Sequence, residues 1–448
     1  MALGEFALIA KYFNQPQNIT LNPSTNVKSS LGDDCAIVQV DAAYDSLITT
    51  DTLVEGSHFY PEIHPYDLGY KSVVVNLSDI CSKGGIPTWV TLALTLPAVN
   101  HTWLEAFSSG LYDALNTFNV KLIGGDTVRG KELSVTITAH GTVAQGQAFT
   151  RNQAQVGDRI FVTGTLGAAY AGFLILQHLH QNYFSSRVNS LFSKEENLTV
   201  GLSSQSIYPH QRFSKVQTLE QDLTGLLSKE ALKSPLADKL NIDDPTKLNT
   251  FWQEVVNGLV IKNLYPQPWI KMAQNFHGYV NAGMDVSDGL LGDLRHICEQ
   301  SQVNAVIDLA KLPAHPYLAP LYELVDFSAL QVLPVEYMAL HGGEDYQILF
   351  TVPEAKVEAF VEKMTSIGLI GMVNEIGYIT PASEQQLEAA KTKPQRAVNA
   401  SFVPEIKLTR NGQAVDLQAD LSAALEAKTK DQELIKQLCQ NFMWEHFA

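Results

Sequence analysis

The chain has 448 residues, with 31 Lys and Arg against 47 Asp and Glu, a formal net charge of −16. Its 45% hydrophobic and 17% charged residues supply enough apolar material for real cores, which excludes wholesale disorder, and the length predicts two domains. The acidity argues against a broad nucleic-acid grip, and nothing approaches the roughly 18 uninterrupted apolar residues of a membrane span.

Taken in order, the opening MALGEFALIAKYF places Glu5 in a short apolar stretch without the basic lead of a secretory segment. Ser46–Thr50 and Val90–Leu96 read as strands, the second with period-2 alternation. Asp67 to Ile80 carries Leu68, Val73, Val74 and Leu77 near helical spacing, and Trp103, Phe107, Leu111 and Leu115 step by four as a second helix. Leu133–Thr138 returns to a strand. Gln155–Arg159 marks a domain-entry turn before the strand Ile160–Val162, and further α/β pattern runs through Val303–Leu309 and Gln347–Val352. Between them, 181–262 is too long for a structureless loop. Its stepped residues Val216, Leu219, Leu223, Leu226 and Phe251, Trp252, Val255, Val256, Leu259 predict an inserted helical element. Ser383 to Lys430 reads as a polar, partly mobile tail. The class is mixed α/β (α+β), with a boundary near 150: an N-terminal domain at 1–150 and a C-terminal domain at 151–448. Four widely spaced cysteines (Cys35, Cys81, Cys298, Cys439) without a CxxC pair predict free thiols in a reducing cytoplasm.

Carboxylates beside Gly, Ser or Thr recur at predicted strand ends: Gly32-Asp33-Asp34, Thr49-Thr50-Asp51-Thr52, Leu77-Ser78-Asp79, Gly124-Gly125-Asp126-Thr127, Asp285-Val286-Ser287-Asp288-Gly289 and Gly342-Gly343-Glu344-Asp345. Each alone is explained as a turn or cap. Their repetition where α/β sheets bind ligands is what points to a site. Converging carboxylates repel: two like charges about 4 Å apart cost on the order of 4 kcal/mol at an effective dielectric near 20. Such a cluster holds protons or cations, and hard oxygen donors without a His/Cys set suit Mg²⁺ bridging to substrate phosphates. Two nucleotide motifs fail. Gly125–Glu132 nearly matches a phosphate-binding loop but ends in Glu and precedes a strand, and Gly164–Gly172 is a tight strand-to-helix turn. No nucleophile–base pair is apparent, and His178 and His180 read as surface or packing residues.

These motifs, with Gly4-Glu5-Phe6 and Val75-Asn76-Leu77-Ser78-Asp79, stand in the order found in the thiamine-monophosphate kinases of the aminoimidazole-ribonucleotide-synthetase-like superfamily. The chain resembles that family over nearly all of 1–180 and 283–380. The resemblance implies a two-domain fold, an N-terminal ATP- and Mg-binding domain and a C-terminal α/β domain with a helical insertion. It also implies ATP-dependent phosphorylation of thiamine monophosphate to thiamine diphosphate, the last step of that cofactor's synthesis, in a cytoplasmic homodimer using several Mg²⁺ ions. By motif, Asp33, Thr49, Thr50, Asp51, Asp79, Asp126, Asp285 and Asp288 would hold metal. Gly125, Asp126, Arg151 and Ser287 would contact ATP. His58, Glu344 and, from the aromatic ending Phe442–Phe447, Trp444 would face thiamine monophosphate.

An acceptor phosphate is already ionised at neutral pH, so the scheme needs no catalytic acid or base, only positioning and charge stabilisation. Two rivals stand beside it: another ATP-using member of the superfamily with a different acceptor, and a carboxylate-rich protein that binds cations for stability. The chain departs from the family in its insertion, its enlarged tail, and Trp269 where the Pro-x-Pro-Arg stretch has Arg.

Overall fold

The structure is a computed structural model that describes residues 8–15, 17, 25–29, 36–181, 225–391 and 402–440. The chain divides into two compact units. The first takes the chain up to Ala148, a segment beginning at Leu176, and Leu264–Gln274; the second takes Phe149–Ile175, the chain leading to Asn263, and Asn275 onward.

In the first unit, β1 (Thr25–Ser29) and β2 (Ile37–Val40) form an antiparallel pair. β3 (Tyr44–Val54), β4 (Ile86–Leu96), β5 (Lys121–Arg129) and β6 (Ser134–Ala144) form a sheet of order β3-β6-β4-β5, in which β4 and β5 are parallel and the other pairs antiparallel. Alternation in β4 buries Leu92, Leu94 and Leu96 and exposes Ala93. The buried face packs with the helices α1 (Pro65–Ser82) and α2 (His101–Thr117). Pro65 is fixed in its helical φ at the first position of α1, and His64 Nδ1 caps the helix by accepting the Tyr66 N–H (3.3 Å). Within α1 every residue but Tyr70 and Asp79 is buried, because the sheet and α2 both cover it. In α2, Trp103, Phe107, Leu111 and Leu115 form the buried stripe that the step of four requires.

The second unit is built on a seven-stranded sheet. Its strands are β7 (Arg159–Thr163), β8 (Gly283–Val286), β9 (Asn304–Asp308), β10 (Gln347–Val352), β11 (Val373–Thr380), β12 (Ile406–Arg410) and β13 (Gln413–Ala414), in the order β13-β12-β9-β11-β7-β10-β8. Strands β8 and β10 are buried along their whole length and lack alternation, as expected of strands covered on both faces. The helices used below are α3 (Ala168–Leu179), α4 (Pro245–Leu264), α5 (Leu290–Ser301), α6 (Val335–His341), α7 (Val357–Ser366), α8 (Leu417–Glu426) and α9 (Gln432–Gln440). In α4, Trp252, Val255, Val256 and Leu259 are buried as their spacing predicts. The companion stretch from Val216 lies outside the described residues, except that Leu226 sits buried in a turn.

The tail, read from its composition as polar and partly mobile, carries regular structure where it is described. Its described part adds β12 in parallel to β9 and packs α8 through Leu421 and Leu425. Arg410 pairs with Glu336 and with Asp420 (2.9 Å), while the Tyr337 hydroxyl donates to Leu417 O (2.9 Å). Composition hid this because Leu417, Leu421 and Leu425, spaced by four, form a single apolar stripe in a polar run.

Candidate active site

In the first unit, β3 and α1 are joined by two side-chain bonds. Thr49 Oγ1 donates to Asp79 Oδ2 (2.5 Å), and the N–H of Asp51, on the edge strand, donates to Asn76 Oδ1 (3.0 Å). Asn76 is itself anchored through Nδ2 to Ser72 O (3.0 Å) and is 1% exposed. Thr49, Asp51 and Asp79 therefore share one end of the β3–α1 layer. Thr50 alternates to the other face, where its hydroxyl donates to Thr138 Oγ1 (3.0 Å).

Asp126 lies elsewhere. The register aligns Thr52, Thr136, Ala93 and Asp126 in one row, while Asp51 aligns with Ile137, Leu92 and Gly125 in the next. With β6 and β4 between β3 and β5, Asp51 and Asp126 stand about 14 Å apart at the usual strand spacing. Gly125 is required where β5 approaches β4: its φ is 156°, and a Cβ there would lie 2.0 Å from Leu92 O.

His58 closes a turn after β3. Its N–H donates to Val54 O (2.9 Å), and its Nδ1 accepts the Val54 N–H (3.2 Å). Because Nδ1 is an acceptor, the ring proton resides on Nε2. Beyond the turn, Glu62 accepts from His180 Nδ1 (2.9 Å), and His180 stacks on Tyr60 with centroids 4.5 Å apart, a packing role. Burial first, then the charges of Glu62 and Glu132, raise the Glu55 carboxyl above its ordinary value. Trp269 precedes a short helix, Ile270–Ala273, and its Nε1 is buried with no hydrogen-bond partner among the described residues. Nearby in sequence, the Tyr265 hydroxyl donates to buried Asp67.

In the second unit, β8 carries buried Asp285 and runs into Ser287-Asp288-Gly289 at the start of α5. Gly289 has φ 112°, and a Cβ there would lie 2.6 Å from His341 O. Behind this turn stands Asp293, 1% exposed, whose Oδ2 accepts the N–H groups of Ser287 (3.0 Å) and Asp288 (3.2 Å). Burial, then the negative charges of Asp288 and Asp285, push the Asp293 carboxyl well above the carboxylate range.

The Gly342–Tyr346 segment runs beside the same turn. The Glu344 N–H donates to Ser287 O (2.7 Å) and the Tyr346 N–H to Val286 O (2.8 Å). Glu344 (φ 65°) and Tyr346 (φ 48°) are both left-handed, a strain on the order of 1 kcal/mol each that clusters at functional sites. Between them, buried Asp345 accepts the Gly167 N–H and the Ala169 N–H (3.1 Å) at the start of α3, and burial pushes its carboxyl up to about 7.

Arg151 is not brought to Ser287. Thr150 bridges Ala282 at the start of β8, and Arg151 O accepts from Ser301 Oγ (2.8 Å). Ser287 lies past the opposite end of that strand, five residues or about 16 Å along it. Asp33 and Trp444 lie outside the described residues, as do Gly4-Glu5-Phe6 and Gly32–Cys35.

Among the described residues no three His, Cys, Asp or Glu side chains converge into a metal cage. The hard oxygens that the sequence offers as candidate donors stand in small groups: Thr49–Asp79 beside Asp51, Asp126 apart, and Asp285 with Asp288. That distribution suits Mg²⁺, which is commonly held by one or two carboxylates, with water and substrate phosphates completing its shell.

The AIR synthase related protein N-terminal domain matches residues 32–143, and the AIR synthase related protein C-terminal domain matches 265–389. The thiamine-monophosphate kinase of Escherichia coli (strain K12) is 37% identical over 356 residues, spanning 79% of this chain and 84% of that protein. The chain belongs to the thiamine-monophosphate kinase family. The Haemophilus influenzae relative is 36% identical over 379 residues, spanning 84% of this chain and 90% of its own length. Among solved structures, the thiamine-monophosphate kinase from Stenotrophomonas maltophilia K279a superposes with a TM-score of 0.58 at 28% identity, covering 91% of this chain and 95% of that one. AaThiL complexed with AMPPCP and TMP, at 24% identity and a TM-score of 0.53 over 84% and 86% of the two chains, shares the fold.

Four residues with clear structural duties escaped the reading of the sequence. Asn76 had a signal, since it lies three residues before Asp79 on the same helical face. Asp293 had one in its place in the first turn of a helix, where carboxylates accept backbone N–H groups. Asp345 was quoted in its motif without a role. Asn263, described below, had no local signal.

Proposed function

We propose that the chain transfers the γ-phosphoryl group of ATP to the phosphate of thiamine monophosphate, forming thiamine diphosphate and ADP. The observation that carries this reading is the 37% identity to a thiamine-monophosphate kinase across 84% of its length, with the carboxylate motifs at strand ends and turns. Residues 1–150 take the ATP and metal role, and 151–448 form the second domain.

The residues that would hold Mg²⁺ are Asp33, Thr49, Thr50, Asp51, Asp79, Asp126, Asp285 and Asp288. Bound there, Mg²⁺ supplies charge cancellation between the phosphates of the two substrates. The spread of these residues over about 14 Å in the first unit calls for a polyphosphate-sized ligand rather than one caged ion. Gly125, Asp126, Arg151 and Ser287 are assigned to ATP. Asp293 holds the Ser287 and Asp288 amides in place, and Gly125 permits the close strand approach that sets Asp126. His58, with its proton on Nε2, is a donor suited to a phosphate oxygen of thiamine monophosphate. Glu344, an anion, suits the cationic thiazolium ring of the same molecule, and Trp444 is assigned to stack on it. No residue is required as a general base, because the attacking phosphate oxygen is already ionised.

The homodimer belongs to the proposal as well. The face of the β3-β6-β4-β5 sheet that carries Thr50 and Thr138 also leaves Ile48 64% exposed, a surface suited to a second copy. No helix among the described residues is long and apolar enough to cross a membrane. Buried Cys81 and Cys298, neither in a disulfide, suit the reducing cytoplasm to which we assign the chain.

The test is ADP production with and without thiamine monophosphate, in Mg²⁺ and in EDTA, with thiamine diphosphate quantified in parallel. ADP release that does not depend on thiamine monophosphate, or release without thiamine diphosphate, overturns the reading.

A further inference from the structure

Glu344 reaches its position through a closed set of polar contacts in the second unit that the scheme above does not use. Asn263, near the end of α4 and 3% exposed, donates from Nδ2 to Glu344 Oε2 (2.5 Å) and to Ala169 O (3.2 Å). The N–H of Ala169 in turn donates to Asp345 (3.1 Å). Since Glu344 and Asp345 are neighbours in the chain, the circuit Glu344–Asn263–Ala169–Asp345 closes through one peptide bond. The amide orientation is dictated by its partners. Turned over, Asn263 Oδ1 would face a carbonyl and a carboxylate, both acceptors. Meanwhile the Glu344 N–H is held by Ser287 O (2.7 Å) and its φ is 65°. Backbone and carboxylate are thus fixed by separate anchors, one beside the Ser287 turn and one on α4.

The chemistry of position 263 is specific. A Lys there would cancel the Glu344 charge and an Asp would repel it, whereas a neutral amide fixes the carboxylate and leaves its charge intact. We propose that Asn263 is a positioning residue that aims the Glu344 carboxylate at the cationic ring of thiamine monophosphate, so that it governs recognition of that substrate and not of ATP. This rests on the assignment of Glu344 to thiamine monophosphate made above.

The experiment is steady-state kinetics on the full-length chain with Asn263→Ala, Glu344→Ala and the double variant, reading KM for thiamine monophosphate and for ATP separately. Loss of one hydrogen bond to a charged group corresponds to about a tenfold change or more. Asn263→Ala is expected to raise KM for thiamine monophosphate about tenfold and leave KM for ATP within twofold. In the Glu344→Ala background it adds nothing, because its action runs through that side chain. Asn263→Ser, which keeps a small polar group in the buried position, gives the same reading should the alanine variant not fold. An equal rise in both KM values, or full additivity in the double variant, overturns the proposal while Glu344→Ala still raises KM for thiamine monophosphate. If Glu344→Ala leaves that KM at the wild-type value, the assignment of Glu344 itself falls, a separate and recognisable failure.

Discussion

Replacing Asp345 by Asn is expected to remove a pH dependence of stability that the wild-type chain carries. Asp345 is buried against the first turn of α3, accepting two backbone N–H groups, and burial pushes its carboxyl from 3.8 up to about 7. The two amides and Lys262 pull the other way without reversing the shift, and Glu344 adds to it. A raised folded value means that the native state favours the protonated acid. The stability contributed by this group is full below about pH 4, declines as pH rises, and is lost once pH passes about 7. Three units at 1.36 kcal/mol each give about 4 kcal/mol between those limits, most of it accessible between pH 5 and 8. Asparagine does not titrate, and it keeps only one of the two acceptors that the Gly167 and Ala169 N–H groups use, a constant cost of about 1–3 kcal/mol that leaves the pH dependence of the difference untouched. Towards pH 8 the variant gains on the wild type by roughly 2–4 kcal/mol. The assay is urea unfolding of both chains at steps from pH 5 to 8, reading only the difference, in which titrations common to both cancel. Curves that stay parallel within about 0.5 kcal/mol would refute the reasoning, since that is the scale of a neutral substitution.

Three other outcomes are expected. Asp51→Asn or Asp126→Asn abolishes turnover without lowering the melting temperature by more than a few degrees; near-normal activity of either purified variant at saturating Mg²⁺ and ATP removes the metal assignment. Asn76→Ala strips the buried acceptor of the Asp51 N–H and costs about 1–3 kcal/mol by urea unfolding, with reduced kcat/KM because β3 loosens from α1; unchanged stability sinks that link. Gly125→Ala drives a Cβ to 2.0 Å from Leu92 O, so β5 must shift; about 1–3 kcal/mol of destabilisation and a raised KM for ATP are expected, and a silent substitution contradicts them.

Local signals carried much of the fold. Period-2 alternation located β4, steps of three and four located α1, α2 and α4, and turn residues marked the Ser287–Gly289 bend, because each pattern is written within one element. The Ala, Gln, Glu and Lys composition of the tail hid the helix within it, since a folded helix needs just one apolar stripe, here Leu417, Leu421 and Leu425.

What the sequence determined alone was the mixed α/β class and the family, and it named the candidate carboxylates, all of which reside in short ordered motifs. Tertiary structure alone decided how those motifs are spaced. Strand order put β6 and β4 between Asp51 and Asp126, and the direction of β8 put Arg151 and Ser287 at its opposite ends. It also decided which neutral side chains hold the charged ones. Asn263 meets Glu344 across 81 residues of chain. Such a contact depends on how helices and strands pack, and that packing leaves no periodic trace around either residue.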